Sequence, residues 1–376
     1  MTVRWHFRRG YGADRAHAAA PDRFDTTGLS GASGFATAER GRSDRASRGQ
    51  TKFGTDRIRT VLVFAAIVVA AWTLGGAFAA HGETRTTAGI AQNSAKFAGA
   101  FVNWGPEGRE RTLQAWEKWL GQPPSSVLGV DFYAESTWEA FFRLNWVPGI
   151  WKNLNPARNV VWSIPLTVKG TPLAEVAGGL HDAEFEAAAK AIAEAHPKAI
   201  IRIGWEMNIV DSAWFAKGQE ADYIGAYRRV VGIFRRHSGD FKYDWCPGWG
   251  PQELAADLAY PGDDVVDYIG LDVYDFKQEG TPQERWDTYY LKVPFGLQWQ
   301  RDFATARGKR MSYPEWGVGH FGDNPLFIQQ MHDWFVRNRD QIAYAAYFDV
   351  DGQWPTQIDN GRFPNSQKLF RKLFSR

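Results

Sequence analysis

Eight short apolar runs, each followed by a stretch of helical character, organise the chain from about residue 95 onward. The runs are Phe97–Val102, Val127–Phe132, Val160–Pro165, Ala199–Gly204, Tyr243–Cys246, Tyr268–Val273, Arg310–Pro314 and Ala343–Phe348. Helices are expected between them at Arg109–Leu120, Ala221–Arg236, Pro325–Arg337 and Gln367–Phe374. A further one is the run AEFEAAAKAIAEA behind Asp182, which stands where a capping carboxylate belongs. Strand–helix alternation predicts a parallel sheet, because parallel neighbours need a long crossover. Eight such units within residues 95–376 suit a (β/α)8 barrel (a TIM barrel, of the α/β class), whose usual length is about 250 residues. An open doubly wound sheet would hold fewer strands, and no Gly-x-Gly-x-x-Gly follows the first one.

The segment before the barrel is of another kind. Residues 1–57 have no sustained apolar period and are rich in Gly, Ala, Ser, Thr, Arg and Asp, as in Thr26-Thr27-Gly28-Leu29-Ser30-Gly31. Such a segment buries too little apolar surface to offset its ordering entropy, so disorder is expected. Residues 58–80 then carry an uncharged run from Thr60 to Ala80, preceded by Arg57 and Arg59. At about 1.5 Å per residue it spans a hydrocarbon core of about 30 Å. Basic residues upstream predict a cytoplasmic N-terminal side. Ala77-Phe78-Ala79 also fits a small-x-small cleavage site. The run is therefore an uncleaved anchor or a cleaved signal, with a buried core helix as the third reading. Both leading readings export residues 81–376, anchored at the inner membrane facing the periplasm or secreted. Residues 81–94 form the linker.

Charge follows the same division. Residues 1–59 carry 12 Lys/Arg against 6 Asp/Glu, which leaves 32 against 36 in the rest. The folded part is mildly acidic, so no nucleic-acid partner is expected for it. The single cysteine, Cys246, rules out an intrachain disulfide framework and a cysteine-based zinc site. His181, His196, His237, His320 and His332 show no metal-binding spacing, and there is no Gly-x-Ser-x-Gly. No metal or cofactor is expected, and a monomer is.

In a (β/α)8 barrel, chemistry sits at the C-terminal ends of the strands. Glu206 follows the fourth run beside Trp205, and Glu315 follows the seventh beside Trp316. Two carboxylates across a barrel mouth are what glycosidic cleavage needs. One protonates the leaving oxygen; the other attacks the anomeric carbon or activates water. Apolar neighbours would separate their proton affinities. The plain alternative is a pair of ion-paired rim carboxylates.

Three segments carry a resemblance. Arg202-Ile203-Gly204-Trp205-Glu206-Met207-Asn208, Tyr260-Pro261-Gly262-Asp263 with Val266–Tyr274, and Pro314-Glu315-Trp316-Gly317 resemble the strand-4, strand-6 and strand-7 signatures of glycoside hydrolase family 26. That family of clan A barrels includes many endo-β-mannanases. The resemblance covers about Phe97 to Phe374. It implies that Glu206 is the acid/base, Glu315 the nucleophile and Tyr274 the partner that holds Glu315, with Asn208 and Arg202 in support. Two positions depart from the pattern: Trp205 stands where the mannanases usually have His, and Ile209 where Gly usually follows Glu-Met-Asn. These departures bear on the substrate more than on the mechanism.

Eighteen tryptophans, 16 of them beyond residue 100, fit a glycan partner, because indole faces take the C–H faces of sugars. Trp104, Trp205, Trp245, Trp249, Trp316 and Trp354 lie at strand ends and are expected to bind substrate, with His320 lining a subsite. Trp116, Trp119, Trp138 and Trp334 sit at helical spacing and are expected to pack. Asp272, Asp275, Asp349 and Asp351 are read as solvated loop carboxylates, with sugar or calcium contacts the sharper option. The function expected is a retaining endo-β-glycosidase acting on an extracytoplasmic polysaccharide. The alternatives are a β-glucanase or exopolysaccharide-processing hydrolase of the producing cell, and a non-catalytic glycan-binding barrel.

Overall fold

Strand alternation decides which side chains this chain turns toward the barrel axis and which toward the helices. The computed structural model describes residues 97–102, 113–122, 129–132 (backbone only), 137–141, 145–276, 279–319, 322–351 and 355–375. All belong to one compact unit. The 1–57 segment, the 58–80 run and the 81–94 linker lie outside them. Among the described residues, no helix is long and apolar enough to cross a membrane.

The strands are β1 (Gly99–Val102), β2 (Gly129–Phe132), β3 (Val160–Ile164), β4 (Ile200–Ile203), β5 (Lys242–Trp245), β6 in two pieces (Tyr268–Gly270 and Val273–Asp275), β7 (Arg310–Val318) and β8 (Ile342–Asp349). Every pairing is parallel. β1 joins β2 on one side and β8 on the other, while both pieces of β6 pair with β7, so the sheet closes on itself. All eight expected strands are present. β7 runs past its expected end to Val318, which pairs with Asp275, and β8 to Asp349, which pairs with Val102.

Helices cover the outside. Glu220–His237 buries Tyr223, Ala226, Tyr227, Val230, Val231, Ile233 and Phe234, spaced three and four apart as an amphipathic helix requires. Fully burying each large side chain contributes roughly 1.5–3 kcal/mol. The helix Asp182–Ala195 forms as expected, but Asp182 is its first residue and does not cap it. Its carboxylate instead takes two hydrogen bonds from Arg229, Nε at 2.6 Å and Nη2 at 2.8 Å, tying this helix to the next. Trp116, Trp316, Tyr347, Phe370 and Phe374 form an aromatic layer between β7, β8 and the last helix, Pro364–Phe374.

β7 departs from strict alternation. Tyr313 pairs with Ala345 and Trp316 with Tyr347, so three steps on β7 match two on β8. Such a bulge reverses the facing of everything after it. Tyr313 and Trp316 both meet Phe335 on the helix side. Ser312 and Glu315 both turn inward, Ser312 to Asp244 and Glu315 to Arg202. Pro314 lies within the bulge, where its missing N–H costs no regular ladder bond.

Candidate active site

The barrel interior near the strand ends is polar. Arg202, fully buried on β4, donates through Nη1 to Glu315 Oε1 at 2.8 Å and to Ser163 Oγ at 3.2 Å, and through Nη2 to Asp272 Oδ2. Burial alone would pull the guanidinium down. The charges of Asp272 and Glu315 overcome that and hold it well above its usual range, so it is a fixed cation. Losing one member of such a buried set costs about 3–5 kcal/mol, because an unpaired charge is left behind.

Glu315, 1% exposed, is held at both oxygens. Oε1 accepts from Arg202, and Oε2 accepts from the Tyr274 hydroxyl at 2.5 Å. Both donors favour the ionised carboxylate. Arg202 reaches Glu315 from β4, and Tyr274 reaches it from the second piece of β6.

Glu206 is placed by a strained turn after β4. Its φ is +53°, in the left-handed region that non-glycine residues avoid, at a cost of about 1–3 kcal/mol. Gly204, at φ +50°, starts the turn, and a Cβ there would lie 2.9 Å from Leu166 Cβ. Hydrogen bonds from several elements hold the turn. Tyr223 Oη donates to the Gly204 carbonyl (2.9 Å), the Glu206 N–H to the Cys246 carbonyl (2.7 Å), and the Ala216 N–H to the Met207 carbonyl (2.9 Å). Strain held this firmly is common at reacting side chains.

Asn208 serves the scaffold. Its side chain accepts from the Gly248 N–H and donates to the Gly248 carbonyl, each at 2.9 Å, stapling the β4 turn to the β5 loop. The Cys246 thiol, buried and pushed up by burial, donates to Asp272 Oδ1 at 3.2 Å. Through it the Glu206 turn joins the Asp272–Arg202–Glu315 chain.

Several expectations need correction. Trp245 and Trp316 are fully buried and face the helices: Trp245 meets Tyr260 and Phe303, and Trp316 meets Phe335 and Phe370. Neither offers a sugar a free face. Each stands next to an inward residue, Asp244 or Glu315, and so points outward. Trp205 is 1% exposed, packed on Trp214 and lying under the Arg202 guanidinium at 5.1 Å, so it walls the site from behind. Trp249 is half-buried against Tyr290 and is the only described tryptophan of the six with an accessible face. Trp104, Trp354 and His320 lie outside the described residues.

The loop aspartates also differ from expectation. Asp272, Asp275 and Asp349 are buried. Asp275 takes hydrogen bonds from Tyr290 and Asn324, both at 2.6 Å, and Asp349 takes one from the Ile358 N–H at 2.8 Å. Asp351 is exposed and paired with Arg362 at 3.0 Å. Among the described residues, no cluster of three His, Cys, Asp or Glu side chains is placed to hold a metal ion. Sequence reading missed Ser163 and Asp244, which no motif marks. Their only signal was their inward register beside Arg202.

No protein-family model matches the chain, and no curated protein matches it in sequence. Solved structures do match. The modular endo-β-1,4-mannanase of Cellulomonas fimi, 19% identical, covers 77% of this chain and 74% of its own at a TM-score of 0.55. The catalytic domain of the family 26 endo-β-1,4-mannanase of Bacillus sp. JAMB-750, 17% identical, covers 76% and 89% at 0.53. The fold is the one those mannanases have.

Proposed function

We propose that the chain is a retaining glycoside hydrolase of the family 26 type that cuts within a β-linked polysaccharide. The observation that carries this reading is Glu315, inside the barrel mouth, with Arg202 donating to one oxygen and Tyr274 to the other. A carboxylate so held is fixed in place and aimed, as a nucleophile must be. Glu206 is then the acid: it gives its proton to the leaving glycosidic oxygen while Glu315 bonds to the anomeric carbon. In the second half Glu206 takes a proton from water, and that water displaces Glu315. The likeness to the mannanases is a likeness of fold. It supports mannan as the first substrate to test, with β-glucans and bacterial exopolysaccharides beside it because Trp205 and Ile209 alter the surroundings of Glu206. We take the site to face away from the cytoplasm, beyond the 58–80 run.

The test is hydrolysis by the full-length protein of β-1,4-mannan, glucomannan, β-1,3-xylan, mixed-linkage β-glucan and the exopolysaccharide of the producing cell. Early release of mixed oligosaccharides from at least one polymer is expected. No reducing ends from any of them, alongside intact binding, would leave a glycan-binding barrel instead.

A further inference from the structure

A (β/α)8 barrel is normally filled by branched apolar side chains. Just below Glu315 along β7, this one holds a buried polar layer instead. Ser163, Arg202 and Asp244 are successive register partners on β3, β4 and β5, so their side chains share a face. Ser312 and Tyr344 are partners on β7 and β8. Asp244 joins the two halves: its Oδ2 accepts from Ser312 Oγ and from Tyr344 Oη, each at 2.6 Å. Gly270 on β6 leaves the room. A Cβ there would lie 2.6 Å from Asp244 Oδ1 and 2.7 Å from Cys246 Cβ. Asp244, Arg202 and Ser312 are all fully buried.

A carboxylate is costly in such a place. Burial pushes the Asp244 carboxyl up to about 6, while hydrogen bonds from Ser312 and Tyr344 and the charge of Arg202 pull it back. Asp267 also raises it, and the neighbouring Cys246, Tyr227, Tyr268 and Tyr344 are kept protonated by their own burial. Two buried atoms on the paired residues of β4 and β5 make no hydrogen bond: Arg202 Nε and Asp244 Oδ1. Unmet buried groups are rare in a folded chain and ask for a reason beyond packing.

That reason lies in the guanidinium. Its single positive charge serves Glu315 and Asp272 through hydrogen bonds, and Asp244 across the register. A carboxylate that has a cation to itself is a weak base, and so a weak nucleophile. Asp244 draws on the same cation and thereby loosens its grip on Glu315. When Glu315 bonds to the anomeric carbon its charge is lost, and Asp244 and Asp272 remain to balance Arg202.

We propose that Asp244 is a positioning residue for the reaction at Glu315: it shares the Arg202 charge with the nucleophile and, through Ser312, holds inward the strand that presents it. This rests on the glycosidase reading. Being fully buried, Asp244 acts only through these partners.

The test follows the Glu315 carboxyl carbon by NMR in the full chain, labelled with glutamate carrying carbon-13 at Cδ. A Glu206→Gln background keeps the proposed acid from titrating, and the signal is identified by its loss on Glu315→Gln. With Asp244 in place, the carbon should show its own titration and a second step at about pH 6. Asp244→Asn keeps the shape and removes the charge. It should abolish the second step and lower the Glu315 midpoint by about one unit. In parallel, the chain with both glutamates intact is assayed on the five polysaccharides of the hydrolysis test. There Asp244→Asn should lower kcat about tenfold and leave KM within about twofold. Ser366→Ala cuts a hydrogen bond to Asp323 on the last helix and should change neither kcat nor the carbon signal.

A carbon with no second step and an unmoved midpoint in Asp244→Asn would overturn the proposal. So would a lower kcat with no change at the carbon, which is what a merely structural role gives. In both cases hydrolysis by the parent would leave the glycosidase reading standing. Coupling at the carbon in a chain that hydrolyses none of the polysaccharides would uphold the link from Asp244 to Glu315 and overturn the glycosidase reading. The second step is read with Asp244 present, so the test holds even where Asp244→Asn fails to fold.

Discussion

Tyr274 Oη donates to Glu315 Oε2 at 2.5 Å, while Arg202 holds the other oxygen of the same carboxylate. The contact joins the second piece of β6 to the bulge of β7, so it reports the mutual placement of two irregular strands. A hydrogen bond to a charged group contributes about 1.5–3 kcal/mol. Tyr274→Phe should therefore lower kcat/KM by about 10- to 150-fold in a chain that still folds, at some cost in stability. Steady-state kinetics on the preferred polymer would show it, and an unchanged kcat/KM would remove Tyr274 from the mechanism.

The two carboxylates should fail differently. Glu315→Ala should lose several orders of magnitude on every substrate. Glu206→Ala should lose least on aryl glycosides, whose leaving groups need little protonation. Azide should restore Glu206→Ala by attacking the glycosyl-enzyme, giving a glycosyl azide. Equal losses of the Glu206 variant on aryl and natural substrates would contradict the roles assigned here.

Much of this was legible in the sequence, and the misses have a common cause. The eight strands follow from apolar runs of strand length, and Glu206 and Glu315 from their places at the ends of two of them. What failed was facing. Trp245 and Trp316 look like rim residues by position, yet an inward neighbour and a β7 bulge turn them to the helices. The same register turns Asp244 and Ser312 inward, and no motif marks either. Asp275 and Asp349 resemble loop carboxylates in sequence, and only the partners that fold over them, Tyr290, Asn324 and the Ile358 N–H, show otherwise.

That correction can be checked directly. Trp316 lies wholly within the aromatic layer, so Trp316→Ala should cost about 3–5 kcal/mol of stability. Trp316→Phe should cost less and leave KM as it is. Urea melts and kinetics together decide this: a raised KM in the phenylalanine variant at unchanged stability would return Trp316 to the substrate surface.

Two buried groups give opposite pH dependences. Burial pushes the Asp244 carboxyl up to about 6 from 3.8, against hydrogen bonds from Ser312 and Tyr344 and the charge of Arg202, which lower it. Between those values the folded chain keeps a proton that the unfolded chain has released, so stability falls as pH rises. Burial, aided by Lys152, drives His196 down to about 4 from 6.5. There the unfolded chain takes up a proton that the folded chain refuses, so stability falls as pH drops. Each contribution is about 3 kcal/mol at full extent, and over pH 4–6 they largely offset. Asp244→Asn should leave a chain that weakens in acid, and His196→Leu one that strengthens in acid. Urea midpoints across this range would test it; variants that keep the parental profile would contradict it.

Export of the barrel is a separate expectation, resting on the 60–80 run. Alkaline phosphatase fused after Arg376 should be active in intact cells, whereas a fluorescent protein that folds only in the cytoplasm should stay dark there. The reverse pattern would place the barrel in the cytoplasm.

The central claim is double displacement at Glu315, and the stereochemistry of the first product tests it most directly. Retaining enzymes hold their two carboxyl groups about 5–5.5 Å apart, and inverting ones about 6.5–9.5 Å apart to admit a water. Proton NMR recorded during the first minutes of hydrolysis, before mutarotation, reads the new anomeric centre. The account predicts that the β-anomer appears first and the α-anomer grows in later. An α-anomer formed first would mean direct attack by water and would contradict the assignment of Glu315 as nucleophile.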